Sequence, residues 1–92
     1  MHELMCAPDV RFASLKSEGV DVGVSIHKDL IGTALPRVPK DRKCSIEVDN
    51  GTTLDIDTNA TFSYRRDPRV DGAHRVRLIC NGQPVADADL SR

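Results

Sequence analysis

The stretch Cys44-Ser45-Ile46-Glu47-Val48-Asp49-Asn50-Gly51-Thr52-Thr53-Leu54-Asp55-Ile56-Asp57 decides the fold class. Cys44, Ile46 and Val48 alternate with Ser45, Glu47 and Asp49, and Leu54 and Ile56 resume the alternation beyond Asn50-Gly51. A period of two belongs to a strand with one buried face, so the segment reads as a β-hairpin. A three-residue loop Asp49-Asn50-Gly51, with Gly51 left-handed, sets Ile46 opposite Leu54, Cys44 opposite Ile56 and Lys43 opposite Asp57. A two-residue loop would set Ile46 against Asp55 and mix core with solvent faces, so the longer loop is expected.

The same alternation recurs on either side. Val20, Val22, Val24 and Ile26 alternate with Asp21, Gly23, Ser25 and His27, and a weaker strand over Val10–Lys16 precedes them through the turn Ser17-Glu18-Gly19. Thr61–Arg66 places Phe62 and Tyr64 on one face, expected inward in phase with Val76, Leu78 and Cys80 of His74–Cys80, whose Arg75 and Arg77 point outward. Asp67–Ala73, with Pro68 and Gly72, reads as the turn between them. Asn81-Gly82-Gln83-Pro84 then leads into a polar strand, Val85–Leu90, expected at a sheet edge. Lys28–Val38 is ambiguous. Leu30, Ile31, Ala34 and Leu35 fit one face of a short helix ended by Pro36, so a helical turn around residues 28–35 is expected, with a buried strand as the alternative. Together these segments predict a mainly β fold, a small antiparallel β-sandwich or partly open barrel, as one domain over residues 1–92.

Composition narrows the class of function. The 92 residues hold only three aromatics, Phe12, Phe62 and Tyr64, and no tryptophan, so the core must be aliphatic. The net charge of −1 hides a polarised chain. Residues 37–43 and 65–77 each carry a net +3, which leaves −7 on the remainder. Cys6, Cys44 and Cys80 are odd in number and widely spaced, and Met1–Val10 has no apolar stretch of signal-peptide length. A reducing, cytoplasmic setting is expected, with Cys44 and Cys80 as small buried thiols.

No catalytic residue is expected. Glycine-rich phosphate loops and a G-x-S-x-G elbow are missing from the sequence, and Cys44 and Cys80 fall on the inward phase away from His27 and His74. Cysteine pairs with zinc-ligand spacing are likewise missing, so neither a metal nor a cofactor is expected. Glu47, Asp49, Asp55 and Asp57 sit at solvent-phase positions and read as a solvated acidic face.

The sharpest feature is arginine. If Thr61–Arg66 pairs with His74–Cys80, then Arg65, Arg66, Arg69, Arg75 and Arg77 converge on one hairpin, whose planar forks match phosphate oxygens. Lys40 and Arg42 form a second basic run, about one strand length away. Asp55 and Asp57, on the neighbouring strand, are the residues that would neutralise the cluster. Arg65-Arg66-Asp67-Pro68-Arg69, an R-x-x-x-R, with Asp89-Leu90-Ser91, resembles the opening of a PilZ domain, a β-barrel that binds cyclic di-GMP. The resemblance covers a small part of the chain and lacks the glycine of the second motif, so it is read as coincidence.

The expectation is a non-enzymatic binding protein that engages nucleic acid or a nucleoprotein complex through the arginine-rich hairpin. By type it resembles phage or mobile-element accessory proteins that inhibit host defence complexes. The alternative is a structural or assembly protein acting through β-edge contacts with a protein partner or a homodimer, for which Val85–Leu90 and the first strand are the candidate edges. No membrane association is expected.

Overall fold

A computed structural model describes residues 10–49, 51–56 and 61–90, with backbone only at Leu35. Among the described residues eight strands follow one another: β1 (Val10–Ser17), β2 (Val20–His27), β3 (Leu30–Arg37), β4 (Cys44–Val48), β5 (Thr53–Asp55), β6 (Phe62–Arg66), β7 (Arg75–Cys80) and β8 (Gln83–Asp89). They form two four-stranded antiparallel sheets, ordered β1-β2-β3-β6 and β5-β4-β7-β8. The sandwich form of the expected fold is borne out.

Between the sheets lies a core of aliphatic side chains and two cysteines, without an aromatic ring. Val22, Ile26 and Ile31 from one sheet meet Ile46, Leu78 and Val76 from the other, all fully buried. The alternation in β2, β4 and β7 thus points inward at the apolar phase, as the sequence predicts. The β4–β5 register is the expected one, with Ile46 opposite Leu54. Gly51 donates to the Val48 carbonyl at 2.9 Å with φ +94°, which marks the three-residue loop. Lys43 opposite Asp57 falls outside the described residues, as does Asn50.

The segment around residues 28–35 is the strand β3 and not a helical turn. The reversal into it is a two-residue hairpin in which Lys28 takes φ +56°, a left-handed position that no glycine or asparagine announces. Among the described residues the one helical feature is a 3₁₀ turn, Pro68–Val70, capped by the Asp67 side chain.

Thr61–Arg66 does not pair with His74–Cys80. β6 crosses to the first sheet and pairs with β3, Leu30 opposite Arg66 and Ala34 opposite Phe62, while β7 lies between β4 and β8. The cause is the connection. Asp67 accepts from the Arg69 backbone at 3.0 Å and starts a 3₁₀ turn, and Val70 is fully buried. The chain therefore passes over the end of the core between sheets and does not reverse as a hairpin.

Cys44 and Cys80, expected as free thiols, stand directly opposite on β4 and β7 and are joined as a disulfide. Two arginines of the first sheet reach across to the backbone beyond it. Arg11 donates to the carbonyls of Val70 and Ala73, and Arg65 donates to the carbonyl of Thr53 on β5.

Candidate functional site

The structure separates the five arginines of the expected hairpin and gives each a carboxylate. Arg75 lies 3.0 Å from Asp87 and 3.1 Å from Asp89, and Arg77 lies 3.7 Å from Glu47. These pairs follow from the registers, which set Arg75 opposite Asp89, and Arg77 opposite both Asp87 and Glu47. Asp55 shares that outer face but stands opposite Ser45, so the neutralising acids are Asp87, Asp89 and Glu47. Asp57 lies outside the described residues. With Asp49 added, the outer face of the second sheet carries five carboxylates against two guanidiniums, and a shallow depression there is lined by Glu47, Asp49, Arg75, Arg77 and Asp87. Its field favours cations, the opposite of what a phosphate backbone needs.

The other three arginines sit at the end of the first sheet. Arg66 donates to Asp29 at 2.7 Å. Asp67, buried, accepts from Arg69 Nη2 at 2.9 Å and Nε at 3.1 Å, with Arg65 3.8 Å away. The Arg69 hydrogen bonds, then the Arg65 charge, hold the Asp67 carboxyl below its ordinary value of 3.8. Of the second basic run, Lys40 is exposed, and Arg42 donates to the Glu18 carbonyl at 2.8 Å. The sheets thus divide the five arginines that the expected hairpin would gather, and each of the five lies within reach of a carboxylate.

What the sequence reading missed is aromatic. Phe62 and Tyr64 were expected inward, in phase with Val76 and Leu78. Instead Ser63 and Arg65 take the inward phase of β6, and Phe62 and Tyr64 point out, 55% and 61% exposed. Alternation says which residues share a face, not which face is buried, and β6 offers only weak cues in either phase. Phe12 on β1 is 48% exposed on the same outer face. Every aromatic ring of the chain therefore lies outside the core, on one sheet.

The neighbours explain how the rings are held. From β1 to β6 one row of the sheet runs Phe12, Ser25, Gly32, Tyr64, and the next runs Ser14, Gly23, Ala34, Phe62. A Cβ on Gly32 would lie 2.7 Å from Tyr64 Cδ1, so the tyrosine ring rests directly on that glycine. The Phe62 ring stacks against it, centroids 6.1 Å apart and planes 11° from parallel. The result is a flat, preorganised aromatic pair on a strand at the sheet's edge.

Among the described residues nothing pairs with the far side of that strand. Asp67 N–H donates to the Asp29 carbonyl at 2.7 Å, so Asp67, Arg65 and Ser63 direct their amides to β3. By alternation Phe62, Tyr64 and Arg66 direct their N–H and C=O groups away from the sheet. The opposite edges differ: β1 packs beside β8, whose Pro84, Asp87 and Asp89 blunt it.

Among the described residues no three His, Cys, Asp or Glu side chains gather as metal ligands would, and no helix is long and apolar enough to cross a membrane. Comparison with family models, curated proteins and solved structures finds no match to this chain.

Proposed function

We propose that this chain is a non-enzymatic interaction module that captures an extended polypeptide strand along the free edge of β6, with Phe62 and Tyr64 as its anchors. The observation that carries the reading is the placement of all three aromatics outside an aliphatic core, two of them stacked on an unpaired edge strand. In strand addition, main-chain hydrogen bonds supply affinity and alternate side chains supply selectivity. Exposed aromatics are the usual anchors of such contacts. This is the assembly alternative moved from β1 and β8 to β6. A module that holds a partner's strand also blocks what that strand does, which keeps an inhibitory role with this reading.

The arginine pairing weighs against the nucleic-acid alternative, because neighbouring carboxylates neutralise the charge that a phosphate backbone would need to meet. The Cys44–Cys80 bond supports an oxidising compartment in place of the cytoplasmic expectation.

A library of displayed peptides of about ten residues, an ample strand length, tests the proposal. Selected peptides are expected to alternate apolar and polar residues, to shift the amide signals of β6, and to be lost to Tyr64→Pro. Proline there removes an outward N–H and the anchoring ring but no hydrogen bond between β6 and β3. Peptides whose binding survives Tyr64→Pro overturn the reading. So does a single-stranded RNA probe whose binding is abolished by charge reversal at Arg65, Arg66 and Arg69, which would restore the nucleic-acid alternative.

A further inference from the structure

Resting on the edge reading, we infer that the strand captured at β6 is β6 of a second copy, paired antiparallel about a twofold axis at Tyr64. The outward backbone groups belong to Phe62, Tyr64 and Arg66, which are symmetric about Tyr64. Centring the axis there makes Tyr64 face its own copy and Phe62 face the partner's Arg66, each as a hydrogen-bonded pair. Every outward N–H and C=O of the three residues is then satisfied. Registers centred on Ser63 or Arg65 would pair only two of the three outward residues, Phe62 with Tyr64 or Tyr64 with Arg66, and carry the third past the end of the partner's β6, while registers centred between residues would set outward groups against inward-directed ones.

Side chains agree with the backbone. In this register Arg66 of each copy lies across from a Phe62 ring, a cation over an aromatic face. Arg65 lies across from Ser63, so no two guanidiniums are directly opposed. Arg66 keeps its Asp29 partner while 73% of its side chain is exposed, and so it can lie over a ring without being stripped of its charge partner. The stacked Phe62 and Tyr64 of one copy meet those of the other, giving four rings in a row on the outer face of one continuous eight-stranded sheet. A C2 contact of this kind is isologous, and its closure prevents open-ended growth.

The strand is short, so the interface falls at the low end of specific contacts, ~1,200 Å² or less, and association is expected in the micromolar range or weaker. Sedimentation from about 1 µM to about 1 mM should show the average mass rising toward twice that of the monomer, and Tyr64→Pro should hold it at the monomer value. Crosslinking tests the register. In a Cys6→Ser background, Tyr64→Cys places two cysteines in a hydrogen-bonded pair with Cα atoms about 5.5 Å apart, within disulfide reach. It should form a covalent dimer under mild oxidation. Phe62→Cys alone should not, whereas Phe62→Cys mixed with Arg66→Cys should.

A chain that stays monomeric at the highest concentration overturns the inference, as does a dimer indifferent to Tyr64→Pro or one crosslinked through Phe62→Cys alone. A monomer that still binds library peptides along β6 would remove the second copy and leave the edge reading standing. A monomer that binds none would remove both.

Discussion

Reducing the Cys44–Cys80 disulfide should lower stability by a large and calculable amount. The bond joins residues 36 apart in sequence. In the chain-entropy account a loop of this length restricts the unfolded ensemble by about 13 cal/mol/K, or about 4 kcal/mol at 25 °C. The native state offers little compensation, because β4 and β7 are already paired and both cysteines are buried in the core. Total stability for a domain of this size is about 5–14 kcal/mol, so the bond is a substantial part of it. At about 4–8 °C per kcal/mol the midpoint should fall by roughly 20 °C. Oxidised and reduced protein, followed by far-ultraviolet circular dichroism, provide the comparison with no change of side chain. Alkylation and mass spectrometry would confirm the pairing and assign Cys6 as the remaining thiol. A fall below about 5 °C would refute the entropic reasoning. Native unreduced protein alkylated at both Cys44 and Cys80 would refute the pairing itself.

Three further outcomes test local features. Thr33 is fully buried on β3 and its Oγ1 has no hydrogen-bond partner, so Thr33→Val should raise stability by about 1 kcal/mol in urea unfolding. Gly82 occupies φ +80° beside Asn81 at φ +52°, with open space where a Cβ would go, so Gly82→Ala should cost about 1 kcal/mol from the backbone alone. Asp67 titrates below 3.8 in the folded state because Arg69 and Arg65 favour its carboxylate. Its stabilisation is thus complete above that value and lost as pH falls through the lowered one. Urea midpoints should drop on acidification below 3.8, and Asp67→Asn should flatten that limb; an unchanged limb would show that Asp67 does not contribute to it.

Local patterns carried much of the fold. β2, β4, β5 and β7 were legible because each has one strongly apolar phase, and Gly51 with Ile46 and Leu54 settled a register to the residue. β3 was obscured for two physical reasons. Its outward residues Leu30, Gly32 and Ala34 mix with inward Ile31 in a pattern that also suits a helix, and its hairpin uses Lys28 at a left-handed position where glycine would be the usual cue. The site was lost at the pairing of β6. Strands adjacent in sequence usually pair, and Thr61–Arg66 next to His74–Cys80 looks like such a case. The 3₁₀ turn capped by Asp67 carries the chain to the other sheet, a long-range choice that short-range periodicity does not encode. Phe62 and Tyr64 therefore changed sides, and the arginines parted company.

A core built without a single ring has an optical consequence. With no tryptophan and one tyrosine, at the β6 edge, ultraviolet fluorescence from this protein is a report on Tyr64. Quenching, anisotropy and emission changes will register an occupant arriving at that strand while the packed interior stays dark. The chain thus carries its own label at the position where a partner would dock, and the interior is best watched through its valine, leucine and isoleucine methyl resonances.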